Sequence, residues 1–232
     1  MSTGPVQAQP ASKGASSHGR AVLTRFMVFS VATTIALMAL WTQVSPWLSY
    51  PVAVLSDIVL NQTAPMWVRS VEVQPGQMLV KTAVEVVIPN SGGRKAAAIL
   101  PADPGRLAYG FPILLALLLA SWAIMRRPGL VQRALVGYVL LLPTQTFSLV
   151  MFVLMNLAAG AQYDTRALRV DPWQIEAIVF GSQVATLVLP ALMPVLIWLW
   201  LDRKFFNDVI VHGWKQSLEA KKQSGAREGA NG

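Results

Sequence analysis

Four stretches of this chain carry no charge, and each is long enough to hold a helix that crosses a membrane. Between Arg25 and Asp57 lie 31 uncharged residues, between Arg106 and Arg126 19, between Arg133 and Asp164 30, and between Glu176 and Asp202 25. A helix rises about 1.5 Å per residue, so about 20 mostly apolar residues cross a hydrocarbon layer about 30 Å thick. Every stretch holds a run rich in Leu, Val, Ile, Met and Ala, and these runs predict transmembrane helices at residues 26–47, 107–125, 135–158 and 175–201. A cleavable signal peptide is the rival reading of the first run. It is disfavoured because a long tail precedes Arg25, and because the run passes into Thr42-Gln-Val-Ser-Pro-Trp47 rather than a small-residue cleavage site.

The charges then orient the spans. Four crossings put both ends of the chain on one side. With the ends inside, the inner segments hold 12 Lys and Arg against four acids, whereas the outer segments hold seven of each. The whole net charge of +8 therefore falls on one face, as the positive-inside rule requires of a cytoplasmic face. The reverse orientation would put that excess outside. So basic a balance could also indicate nucleic-acid binding, but 54% of the residues are hydrophobic and only 13% charged, and the inner bases lack interleaved stacking aromatics. No nucleic-acid partner is expected; the bilayer is.

Residues 1–25 form a predicted disordered cytoplasmic tail, Met1–Gly19 being Ser, Ala, Gly, Pro and Gln without periodicity. Residues 202–232 are its basic counterpart. Within them Phe205, Phe206, Val209, Ile210 and Trp214 recur at helical steps, which suits a helix lying on the inner surface or a continuation of the fourth span. The outer segment, residues 48–106, has structure of its own. Pro51–Leu60 reads as a short interfacial helix, followed by a β-hairpin. In the second strand Met78, Val80, Thr82, Val84, Val86 and Ile88 share one face, with Lys81 and Glu85 on the other. Gln74-Pro75-Gly76-Gln77 supplies the turn, Pro presetting φ and Gly accepting φ > 0. Asn90–Gly105 reads as a return loop, and residues 159–174 as a second outer loop.

Chemistry is sparse. The chain has no Cys and two His, His18 and His212, so thiolate and all-His metal sites and cysteine nucleophiles are excluded. The four cores hold no ionisable residue, the usual mark of proton relays and intramembrane catalysis. No catalytic, metal or cofactor site is expected. Asp171-Pro172-Trp173 suits a helix start, with Glu176 just inside it, where a carboxylate is favoured by the helix dipole. The cores do carry neutral polar groups: Thr144, Gln145, Thr146, Ser148 and Asn156 in the third helix, and Ser182, Gln183 and Thr186 beside Pro190 and Pro194 in the fourth. Such groups bond between helices and repair proline kinks, or line a solute path. The residues singled out are Tyr109, Trp173, Gln174 and Glu176 on the outer rim, with Gln145 and Gln183 behind them.

Four stretches together resemble one family. They are Ser45-Pro-Trp-Leu-Ser-Tyr-Pro-Val-Ala leading to Pro65-Met-Trp-Val; Leu107-Ala-Tyr-Gly-Phe-Pro; Leu140-Leu-Leu-Pro-Thr-Gln; and Pro172-Trp-Gln-Ile-Glu-Ala through Leu189-Pro-Ala-Leu-Met-Pro to Asp202-Arg-Lys-Phe. In order and spacing they are similar to the exosortase H-associated membrane proteins of Gram-negative bacteria, over about residues 40–206. The resemblance implies an inner-membrane accessory protein beside an exosortase that processes C-terminal sorting signals at the outer face, and leaves its own activity undefined; the empty cores make a non-catalytic partner the expectation. Exosortases use a Cys nucleophile, so a Cys-free chain is not the sortase. The expected fold is thus an all-α membrane protein of four spans, N-in and C-in, with a small periplasmic β-hairpin between helices 1 and 2. A subunit of a small-solute transporter, or a component of envelope secretion or conjugation, is the alternative.

Overall fold

The computed structural model describes residues 13–87, 95–126 and 128–203. In chain order the elements are α1 (Lys13–Leu48), α2 (Tyr50–Thr63), β1 (Val68–Gln74), β2 (Gln77–Val87), β3 (Lys95–Ala102), α3 (Pro104–Leu107), α4 (Gly110–Met125), α5 (Leu130–Gly160), α6 (Thr165–Leu168), α7 (Pro172–Gln183), a π turn (Val184–Val188) and α8 (Leu189–Leu201). Three rods are long and apolar enough to cross a membrane: Thr24–Leu48, Leu130–Gly160 and the continuous Pro172–Leu201. The run expected at 107–125 is shorter. Pro112 has no N–H and restricts the residue before it, so α4 begins only at Gly110, behind the single turn α3. Its 16 residues span roughly 24 Å.

Three boundaries differ further from expectation. α1 starts at Lys13, inside the 1–25 tail; adding turns to an already anchored helix costs little. The predicted hairpin is a three-stranded antiparallel sheet in the order β1-β2-β3, because the supposed return loop supplies Lys95–Ala102. Lys95-Ala-Ala-Ala has little strand propensity, so pairing along the free edge of the long β2 overrides composition. The 159–174 loop contains α6. The amphipathic stretch 205–214 lies outside the described residues.

The first half of β2 follows its pattern, Ile88 lying outside the described residues and the β2–β3 register shifting between Lys81 and Glu85. Met78, Val80 and Thr82 are buried while Lys81 is exposed and pairs with Glu72 across the strands. The β1–β2 turn is Pro75-Gly76, with Gly76 at φ 80°, the left-handed value a type II turn needs at its third residue.

Two cores result, and α5 belongs to both. Nearer the chain ends, Leu141 of α5 packs with Phe26 of α1, Leu114 and Leu118 of α4, and Ile197 and Trp198 of α8. Farther out, Leu149, Val153 and Leu157 of α5 pack with Val52 and Leu60 of α2, and with Val68, Met78 and Val80 of the sheet. Phe26 stacks on Trp198 at 5.5 Å, so the start of α1 and the end of α8 lie at one end of the bundle.

The Pro172–Leu201 rod carries a built-in irregularity. Pro190 has no N–H for a carbonyl one turn back, and the helix widens to a π turn in which the Leu189 N–H reaches Val184 O. That leaves the Ala185 carbonyl without its usual donor. The Ser148 hydroxyl of α5 supplies one at 2.6 Å. On the other side, α4 approaches the same kink through Gly110, where a Cβ would lie 3.0 Å from Pro194 Cγ and 3.1 Å from the Pro190 carbonyl oxygen. Proline ring and backbone cannot move aside as a flexible side-chain tip can. Gly110→Val is therefore expected to destabilise the detergent-solubilised protein by about 2 kcal/mol through overpacking, measured as a lowered midpoint of thermal unfolding.

Candidate functional site

The rim residues fall into two groups. Asp171 starts α7 and is tied to Gln174 twice: Gln174 Oε1 receives the Asp171 N–H at 2.9 Å, and the Gln174 N–H donates to the Asp171 carbonyl at 3.0 Å. This fixes Trp173 on the first turn, 64% exposed. The chain leaving α2 is anchored against the same place. Trp67 is buried, and its Nε1 donates to the carbonyl of Leu168 at 2.8 Å, tying the start of the sheet to the end of α6. Between these anchors lies an open cleft of about 500 Å³, lined among others by Met66, Trp67, Leu154, Arg169, Trp173 and Gln174. Its exposed rim is apolar and aromatic, Met66 being 60% exposed, with the Arg169 guanidinium on the same wall. Such a surface can seat an apolar or aromatic side chain of a partner.

Gln145 belongs to a separate node. It is buried, and its Nε2 donates to the Ala108 carbonyl at 3.2 Å, in the break between α3 and α4. Tyr109 follows directly and is half-buried. Phe111 connects this node to α1 and α5 by ring contacts with Trp41 at 6.2 Å and Tyr138 at 5.1 Å. Trp41 Nε1 donates to the Gly105 carbonyl at 3.0 Å, so two carbonyls at the α3–α4 break, those of Gly105 and Ala108, are held by side chains from α1 and α5. Gln183 is not part of this node. It lies exposed on the outside of α7, so the two glutamines do not face one polar path. Glu176 is exposed and does not line the cleft.

A further cavity of about 870 Å³ lies between Pro46 of α1, the Pro75–Gln77 turn, Asp103, Arg106, Phe152 and Thr186. No rim residue singled out from sequence lines it.

The sequence pattern left one cluster unmarked. At the end of the bundle holding Phe26 and Trp198, Asp202 is buried, accepts from Arg133 Nη1 at 3.0 Å, and receives the Ser121 hydroxyl on its other oxygen. One carboxylate thus joins the ends of α4 and α8 to the start of α5. The available signal was its position one residue beyond an apolar helix, opposite an Arg one turn into the next.

The fold and its sites define a helical membrane protein of several passes with a small sheet packed at one end. The chain belongs to the exosortase H-associated membrane protein family, whose sequence profile matches residues 20–205. Neither a curated protein nor a solved structure matches it. Two of the stretches that resemble the family meet at the cleft beside α7, through Pro65, Met66 and Trp67 and through Trp173 and Gln174.

Asp202→Ala should cost about 3 kcal/mol, because it removes a buried carboxylate that pairs with the mostly buried Arg133 guanidinium and also receives the Ser121 hydroxyl. Adding Arg133→Met should recover part of that loss. Thermal melts of the single and double variants in detergent check both; an additive double variant would mean the pair is not coupled.

Proposed function

We propose that this protein is a non-catalytic accessory of an exosortase system, and that it docks the exosortase or its substrate through the cleft between the start of the sheet and the start of α7. In this reading it crosses the bacterial inner membrane four times with both ends in the cytoplasm. The observation that carries the docking role is the meeting of Met66 and Trp67 with Trp173 and Gln174 at one exposed surface. An exposed Trp and Met on a preformed rim present large apolar area with few rotamers to freeze, the kind of anchor that dominates binding energy at interfaces.

The fourth crossing is assigned to α4. The break preceding it lies at the level of Gln145 and its C-terminal half reaches the Arg133–Asp202 pair, so it runs antiparallel beside α5. The short length is accommodated by α3 continuing the path and by a locally thinned bilayer. The orientation follows the charge balance, because Arg25, Arg126, Arg133 and Arg203 all sit at the end that holds the inner core.

The chain has no Cys, so single cysteines report topology against an unreactive background. Ser70→Cys, on the exposed side of β1, should react with a membrane-impermeant maleimide in spheroplasts, whereas Gln132→Cys should react only after lysis. The reverse labelling would overturn the orientation.

Docking is tested by co-purification with exosortase from mild detergent. Trp173→Ala combined with Met66→Ala should cut recovery about tenfold or more, as expected for losing an interface anchor, while the protein still inserts and melts normally. Unchanged processing of sorting signals in a strain lacking this protein would sink the accessory role.

A further inference from the structure

A second groove lies at the opposite end of the molecule. It is about 740 Å³, open on one side, and runs between α1 and α4 over Thr24, Arg25, Val28, Phe29, Ala32, Ala123 and Ile124. On α1, Arg25, Val28, Phe29 and Ala32 stand at i, i+3, i+4 and i+7, one stripe of the helix. The small side chains of Ala32 and Ala123 leave the channel between the helices. Its walls are apolar, with Val28 64% exposed, and its lining carries one charge, the exposed Arg25. A second exposed cation, Arg126, caps α4 two residues beyond the groove residue Ile124, just outside the lining. The C-terminus of α4 contributes about half a negative charge, which two guanidinium groups outweigh. Trp122, 41% exposed, marks the same level with an aromatic of the kind that settles among lipid head groups.

We infer that this groove is a binding site for an anionic phospholipid: an acyl chain lies along Val28, Phe29, Ala32, Ala123 and Ile124, and Arg25 and Arg126 hold the phosphate. An apolar channel ending in cations between two membrane helices fits that ligand in both of its parts. Neutral lipids satisfy only the channel and free phosphate only the arginines. The inference rests on the proposed orientation only for which leaflet supplies the lipid, since a symmetrical bilayer presents the same ligand to both ends.

The test is native mass spectrometry of the full-length protein released from bilayers of equal phosphatidylglycerol and phosphatidylcholine. The wild-type protein should retain phosphatidylglycerol in clear preference. Arg25→Gln and Arg126→Gln should each lower that retention about fivefold, and both together about twenty-five-fold. Ala123→Leu, which fills the channel and keeps both arginines, should lower it as well; circular dichroism confirms that each variant is folded. Equal retention of the two lipids by the wild-type protein overturns the site, as does retention unaffected by Ala123→Leu, which would place the lipid on other surface bases. Displacement by millimolar inorganic phosphate would show an anion site without a lipid channel, and overturns it too. None of these readings depends on exosortase, so failure of the docking role leaves them unaffected.

Discussion

Helix α5 is longer than a bilayer is thick. Its 31 residues extend roughly 46 Å against a hydrocarbon core of about 30 Å, and the apolar surface on the surplus needs a cover other than lipid. The outer core is that cover: α2, the sheet and α7 bury Leu149, Val153 and Leu157 above the level where α1 and α4 begin or end. A hairpin alone would be marginal in water. Here the sheet is stable because a membrane helix offers it an apolar wall. The cleft of Met66, Trp67 and Trp173 forms where the chain passes this end of α5 twice, once before the sheet and once before α7.

Inside the bundle the governing constraint is that hydrocarbon supplies no hydrogen-bond partner. Two irregularities of the backbone are accordingly met by side chains from other helices. Ser148 takes the carbonyl freed by the π turn, and Gln145 and Trp41 take those of the α3–α4 break. Such bonds are worth only about 0.6 kcal/mol each in membrane proteins, and their larger contribution is to register. A helix that slipped by one residue would lose its donor and bring Gly110 off the proline kink. The buried Asp202 acts likewise at the other end, fixing three helix ends through one carboxylate.

Sequence patterns exposed the apolar rods because lack of charge is a property each segment carries by itself. They exposed the buried face of β2 for the same reason, alternation at Met78, Val80 and Thr82 needing no knowledge of what lies opposite. They did not expose β3, since Lys95-Ala-Ala-Ala becomes a strand only through its neighbour. Nor did they separate Gln145 from Gln183: both are glutamines in apolar helices, and which one is buried depends on helix rotation, set by packing of Gly181 and Gly110 against other rods. Trp173 and Gln174 were legible because a helix start with an N-cap and Pro is local. Their cleft partners, Met66 and Arg169, became visible only when two distant loops met. Asp202 looked like an ordinary member of a charged tail.

The sparse attachment of α1 bears on how the chain is made. Most of Thr24–Leu48 is exposed, and its chief neighbour, α4, is synthesised only after the whole sheet has emerged. During that interval α1 stands alone in the bilayer. It suits that state, being apolar on nearly every side, with the Ser30 carbonyl sharing itself with Thr34 of its own helix. Trp41 is the exception: its indole N–H finds the Gly105 carbonyl only when the chain returns. Assembly is therefore ordered in time, α1 forming as a free-standing helix and its Trp41 acquiring a long-range indole bond when α3 and α4 are delivered beside it.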